Sequence, residues 1–207
     1  MKVLVVGASG ATGRQLVNQL LIQGNEVKVI VRSTQNISES WKDNTKVQII
    51  TASVLELSVT DATRRLCKAI KSNKPNRPVK YVLMNTSGNS NRDLKEPISF
   101  AQKCVIGLLR LLLPPHVDNE KAADYLRTVM GQNDKHIEWV AVRPDGLIDK
   151  NEVTEYEIYP SPIRSAIFNA GKVSRINVAH FMASLITDES LWNTWKGQMP
   201  VIYSSSL

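Results

Sequence analysis

The segment that most constrains this chain is Gly7-Ala8-Ser9-Gly10-Ala11-Thr12-Gly13. It follows Lys2-Val3-Leu4-Val5-Val6, an apolar run without alternation, which is the pattern of a parallel strand buried on both faces. Leu16, Leu20 and Leu21 then recur at helical spacing over residues 14–23, and Gly24 stops that helix. A second strand at 26–31 completes strand, turn, helix and strand within about thirty residues. In such a turn the first glycine permits the sharp reversal. The second lets the backbone approach a ligand, and the third lets the helix pack closely. The bare N–H groups of the new helix and its dipole then face an anion, a diphosphate above all. Gly7, Ser9, Gly10, Ala11, Thr12 and Gly13 are therefore candidate ligand contacts, with Ser9 and Thr12 adding hydroxyl donors.

The rest of the chain continues the alternation of strand and helix. Strands are predicted at 47–51, 79–85, 137–142 and 201–203, and helices at 60–72, 97–113, 119–130 and 177–185. The predicted fold is an α/β Rossmann-type doubly wound parallel sheet in three α/β/α layers, formed by one domain over residues 1–207. One unit is missing from the pattern. After the strand at 47–51, a doubly wound sheet gives helix, strand and helix, but here residues 53–58 lead directly into one helix. We read this as a missing or deleted segment near 58–59, and expect a missing segment over a true loss, because losing an inner strand would expose neighbouring strand edges. The polar loop at 88–96 is predicted to be a mobile flap.

The end of the second strand bears on which dinucleotide is held. NAD-binding turns place Asp or Glu there for the ribose hydroxyls. This chain has Val31-Arg32-Ser33-Thr34, with no carboxylate. Arg32 can pair with a 2′-phosphate and Ser33 can donate to it, so NADP(H) is the expected cofactor.

These residues resemble the atypical short-chain dehydrogenase/reductases, in the NAD(P)H-binding, NmrA-like and biliverdin/flavin reductase-like group. The resemblance runs from the glycine turn and Val31-Arg32-Ser33 through Tyr81-Val82-Leu83-Met84-Asn85-Thr86-Ser87. It continues through residues 120–127, Trp139-Val140-Ala141-Val142-Arg143-Pro144-Asp145-Gly146-Leu147 and Ser174-Arg175-Ile176-Asn177-Val178-Ala179. It implies that Ser53 and Val54 lie by the adenine, although the family's Gly-Asp-Val is Ala52-Ser53-Val54 here. Asn85 and Thr86 are placed at the nicotinamide end. The Tyr-x-x-x-Lys pair of standard dehydrogenases is absent, because the residue four before Lys121 is Val117, which carries no proton to give.

The candidate catalytic residues are Ser87, at the carboxyl end of a strand, and Lys121 and His116 on the helical segment beyond. Two functions stay open. One is a small NADPH-dependent reductase of a quinone, flavin or other carbonyl-type acceptor. The other is a non-enzymatic NADP(H) sensor or partner-binding regulator. The net charge of +7 is spread without basic runs or interleaved aromatics, which argues against a nucleic-acid partner. No metal site is expected, since His116, His136 and His180 have no ligand spacing with Cys67 and Cys104. The two cysteines read as reduced, which points to the cytoplasm, and no stretch is apolar enough for a membrane span.

Overall fold

The computed structural model describes residues 1–52, 58–94, 96 and 99–205. The strands are β1 (Lys2–Val6), β2 (Glu26–Val31), β3 (Val47–Thr51), β4 (Val79–Met84), β5 (Ile137–Pro144), β6 (Gly146–Ile148), β7 (Tyr156–Tyr159), β8 (Lys172–Ser174) and β9 (Val201–Ser204). The helices are α1 (Ala11–Ile22), α2 (Glu39–Lys42), α3 (Val59–Asn73), α4 (Phe100–Leu112), α5 (Pro114–Tyr125), α6 (Arg175–Thr187) and α7 (Glu189–Trp195). A π-helical turn, Leu126–Met130, extends α5.

The parallel α/β architecture is as expected. β2 lies between β1 and β3, parallel to both, with Val27 opposite Val3 and Val47. β4 and β5 pair in parallel, β9 continues alongside β5, and β7 closes that sheet antiparallel to β9. One core joins the two sheets: Val3 and Val5 of β1 and Val140 and Val142 of β5 share it with Leu16, Val17 and Leu20 of α1 and with Val178, Phe181 and Leu185 of α6. Trp41 of α2 joins the same core, and its indole N–H donates to Asn18 Oδ1 at 3.0 Å. The opposite face of β4 and β5 carries a second core, in which Leu83, Trp139 and Ala141 meet Ala122 and Leu126 and the buried Cys67 of α3. Burial pushes the Cys67 thiol up to about 11, so it acts as packing and not as a nucleophile.

Two expectations need correcting. β1 was expected to be buried on both faces, yet Leu4 and Val6 are each 46% exposed while Val3 and Val5 are buried. The physical reason lies in the layers: the face with Val3 and Val5 packs with α1 and α6, whereas the face with Leu4 and Val6 is open, as is the same face of the central β2, where Glu26 and Lys28 stand. The loop at 88–96 was expected to be mobile, but its described residues are fastened down. Arg92 pairs with Asp124 at 2.9 Å, Asp93 pairs with Arg127, and Glu96 meets Arg143 at 2.8 Å with both side chains almost wholly buried.

Helix boundaries follow local chemistry. α5 begins at Pro114-Pro115, where missing N–H groups cost nothing, five residues before the predicted start at 119. α3 is capped twice: Ser58 Oγ accepts from Asp61 N at 3.1 Å, and the Asp118 carboxylate accepts from the Val59 and Thr60 amides at 2.5 and 3.2 Å. Asp118 thereby ties α5 to the start of α3.

Candidate functional site

The glycine turn sits at the carboxyl end of β1 and opens α1. Gly7 has a φ of +79°, which a side chain would strain, and its carbonyl accepts from Gly10 N at 3.0 Å to close the turn. A Cβ on Gly13 would lie 2.2 Å from that same carbonyl oxygen, so the helix can approach the turn only because residue 13 has no side chain. Gly10 is different. Its φ of −73° suits any residue, and a Cβ there would lie 3.3 Å from Gly7 O. Gly10 caps α1 without any side-chain acceptor, and no acidic residue stands in the first turn. The amides at the start of α1 are therefore left for an acceptor from outside, as a diphosphate would be. Arg14 braces the turn by donating from Nε to Ser9 O at 3.1 Å.

Arg32 follows β2 at the same end of the sheet. It is exposed and, among the described residues, has no ion-pair partner. Ser33 Oγ accepts from Gln35 N at 3.2 Å and keeps its own proton to donate. These residues fit a dinucleotide whose diphosphate lies at the start of α1. Ser53 and Val54 lie outside the described residues.

Beyond β4 the chain enters a cleft of about 270 Å³ lined by Thr86, Ser87, Gly88, Ile106, His116, Asp145, Gly146, Ala166, Ile167 and Ala170. Thus two of the three candidate catalytic residues, Ser87 and His116, come together from different elements. Lys121 does not join them: it is exposed on α5 and is absent from the cleft lining. Asn85 is a brace, donating to Asn119 O at 2.8 Å while its Oδ1 accepts from Thr86 N and from Asn89 Nδ2. Thr86 lies in the cleft wall, and its Oγ1 accepts from Gly88 N at 3.3 Å.

The surroundings of these side chains hold what sequence reasoning missed. Ser87 Oγ donates to Asp145 Oδ1 at 3.0 Å, and both residues are buried. Asp145 also accepts from Gly146 N at 3.0 Å and from Gly171 N at 2.8 Å, so its carboxylate is fixed from three sides. His116 Nε2 is buried without a hydrogen bond and stands 3.4 Å from Glu120 Oε1. Glu120 is itself gripped by Arg110 through two bonds of 2.8 and 3.0 Å. The His116–Glu120 spacing of four residues on one helix face was visible in the chain. Asp145 was visible only as part of the Arg143-Pro144-Asp145-Gly146-Leu147 stretch, which follows a strand at its carboxyl end. Among the described residues no cluster of metal-ligating side chains occurs, and no helix is long and apolar enough to cross a membrane.

Comparison with known proteins agrees with this geometry. A short-chain dehydrogenase/reductase of Veillonella parvula, solved in complex with NADP, superposes with a TM-score of 0.72 at 17% identity over 99% of this chain and 95% of that one. The anaerobilin reductase ChuY of Escherichia coli O157:H7 superposes at 0.70 with 16% identity, over 100% and 98%. An oxidoreductase of Lactococcus lactis does so at 0.68 with 12% identity, over 100% and 92%. At these identities the likeness is one of fold. By sequence, 55 residues are 46% identical to an uncharacterized chloroplastic protein of Arabidopsis thaliana, covering 27% of this chain and 20% of that protein's length. The profile of the NAD(P)H-binding family matches residues 7–70 and 56–189, which include the phosphate turn, the cleft wall at β4 and β5, and α6. The chain belongs to the NAD(P)H-binding family.

Proposed function

We propose that this protein is an NADP(H)-dependent oxidoreductase that reduces a small planar acceptor of the quinone, flavin or carbonyl type in the cleft beside Ser87. One observation carries the cofactor part: α1 starts on three glycines, with neither a capping side chain nor an acidic residue to compete for its amides. Arg32, exposed and unpaired among the described residues, favours the phosphorylated cofactor over NAD(H). Ser9 and Thr12 hydroxyls supplement the amides, Ser33 supplements Arg32, and Thr86 stands at the nicotinamide end. When bound, the cofactor supplies the hydride. The chain's own residues orient the acceptor between the polar wall of Thr86, Ser87 and Asp145 and the apolar one of Ile106, Ala166, Ile167 and Ala170. His116 is the cleft side chain suited to hand over the accompanying proton, with Glu120 and Arg110 holding its position. Lys121 takes no part in this scheme.

The test is direct. Purified protein should bind NADPH more tightly than NADH and should oxidise it when members of an acceptor panel are added. Failure of every quinone, flavin and carbonyl compound to be reduced, with NADPH bound, would reject the reductase. The second function, a sensor or regulator, is favoured by the exposed Lys121 and by Val117 four residues before it, which leave the standard proton donor unfilled. It requires different affinities for NADPH and NADP⁺, which calorimetry measures.

We further propose that residues 1–207 form one domain lacking the strand and helix that would stand between β1 and β4. Support comes from the two separate sheet edges and from a family match split into two overlapping stretches. Free Cys67 and Cys104 suit a reducing compartment, and we propose the cytoplasm.

A further inference from the structure

Ser87 is held in one hydrogen-bonding sense. As a carboxylate Asp145 only accepts, so the 3.0 Å contact uses the Ser87 proton and leaves the Ser87 oxygen facing its surroundings with lone pairs alone. The carboxylate cannot turn away to release that proton. Oδ1 also accepts from Gly146 N, Oδ2 accepts from Gly171 N, and Asp145 is 8% exposed. Space behind it is closed as well, because a Cβ on Gly171 would lie 2.5 Å from the Tyr203 ring and 3.3 Å from Asp145 Oδ2. Thr86, the adjoining residue in the same wall, has the opposite character. Its Oγ1 accepts from Gly88 N and, among the described residues, its proton has no acceptor. The wall therefore offers an acceptor, Ser87, next to a donor, Thr86, and Ile106, Ala166, Ile167 and Ala170 supply apolar cover for a flat ring.

We propose that Asp145 sets the specificity of the cleft by fixing Ser87 as an acceptor, so that the preferred ligand is a ring presenting an N–H beside a carbonyl, as a lactam or imide does. Such an edge gives its N–H to Ser87 and takes the Thr86 proton on its carbonyl. A quinone, with carbonyl oxygens only, meets Ser87 lone pair to lone pair and leaves both unsatisfied in a buried place. The inference deepens the acceptor site proposed above and rests on the cleft being that site.

The experiment uses three bicyclic probes of similar size: quinazolinone, its N-methyl derivative and naphthoquinone. Each is titrated calorimetrically into the full chain with and without NADP⁺, so that binding is read whether or not turnover occurs. Quinazolinone should bind at least tenfold more tightly than the other two. Asp145→Ala removes the acceptor that holds the Ser87 proton, frees that proton to donate, and should shrink the preference to less than threefold or reverse it. Ser87→Ala, which keeps the Asp145 contacts to Gly146 and Gly171, should also abolish the preference, and serves if Asp145→Ala fails to fold. Equal affinity for quinazolinone and its N-methyl derivative, tighter binding of naphthoquinone, or no binding of any probe would overturn the proposal. A protein that binds quinazolinone selectively but never binds NADP(H) would instead reject the oxidoreductase function while leaving the polarity of the cleft standing.

Discussion

Replacing Gly10 by alanine separates ligand binding from folding at a single methyl group. The backbone at Gly10 has a φ of −73° and a ψ of 160°, which alanine adopts freely. The added Cβ would stand 3.3 Å from Gly7 O, a contact that a shift of a few tenths of an ångström relieves. Alanine also narrows the unfolded ensemble, a gain of about 0.4–1 kcal/mol that offsets this strain. Stability should thus change by less than about 1 kcal/mol. Cofactor binding should not survive as well, because the methyl group projects where a diphosphate oxygen must reach the amides of α1. Losing one charge-assisted hydrogen bond costs about 1.5–3 kcal/mol, or roughly tenfold to a hundredfold in affinity. Gly13→Ala provides the contrast. Its Cβ would meet Gly7 O at 2.2 Å and would have to retreat by roughly 0.8 Å to reach the 3.0 Å that such contacts respect. That variant should lose about 1–3 kcal/mol of stability as well as affinity. Urea denaturation and calorimetric titration with NADPH, run side by side, give both quantities. An unchanged NADPH affinity in a fully folded Gly10→Ala protein would refute the reasoning.

Further outcomes follow from other parts of the structure. Arg32→Asp should move the NADPH-to-NADH affinity ratio by about 1–3 kcal/mol toward NADH, read from paired titrations; an unmoved ratio would remove Arg32 from the site. Arg143→Met leaves Glu96 buried without its partner and strands the carbonyls of Met199, Asn89 and Pro160, so denaturation should show a loss of about 3–5 kcal/mol. Asp134 is pushed up by burial, but hydrogen bonds from Lys71 and from the His136 and Ile137 amides outweigh this and hold its carboxyl below the usual carboxylate range. A depressed folded value means stability that is present above the unfolded pKa of about 4 and lost as pH falls below it, so Asp134→Asn should flatten the acid limb of the stability profile.

The parts of this protein that were legible in its sequence are those specified locally. Gly7, Gly10 and Gly13 carry their meaning in their own spacing, and the strand, turn and helix around them depend on neighbours in the chain. Ser87 was recognisable because it ends a strand, and ligands gather at the carboxyl ends of parallel strands. The alternation of strand and helix has a gap between the strand at 47–51 and the helix that starts at Val59, and β1 and β4 stand at the ends of separate sheets. What sequence could not supply are contacts between distant segments. The bond from Ser87 to Asp145 spans 58 residues, and the grip of Arg143 on Glu96 spans 47. Neither has a periodicity to betray it. The short strands β6 and β8 exist only as each other's partners, and each has three residues, too few for a pattern. The loop expected to move reads as polar and flexible in composition, but Arg92, Asp93 and Glu96 find partners on α5, on the turn that extends it and on β5.

The most direct test is to record backbone amide chemical shifts of the protein while NADP⁺ is added. If the start of α1 cradles the diphosphate, the largest changes fall on Gly10, Ala11, Thr12 and Gly13, with a second set at Arg32, and saturate together. Shifts that bypass these amides, or a spectrum that NADP⁺ leaves unchanged at millimolar concentration, would contradict the account.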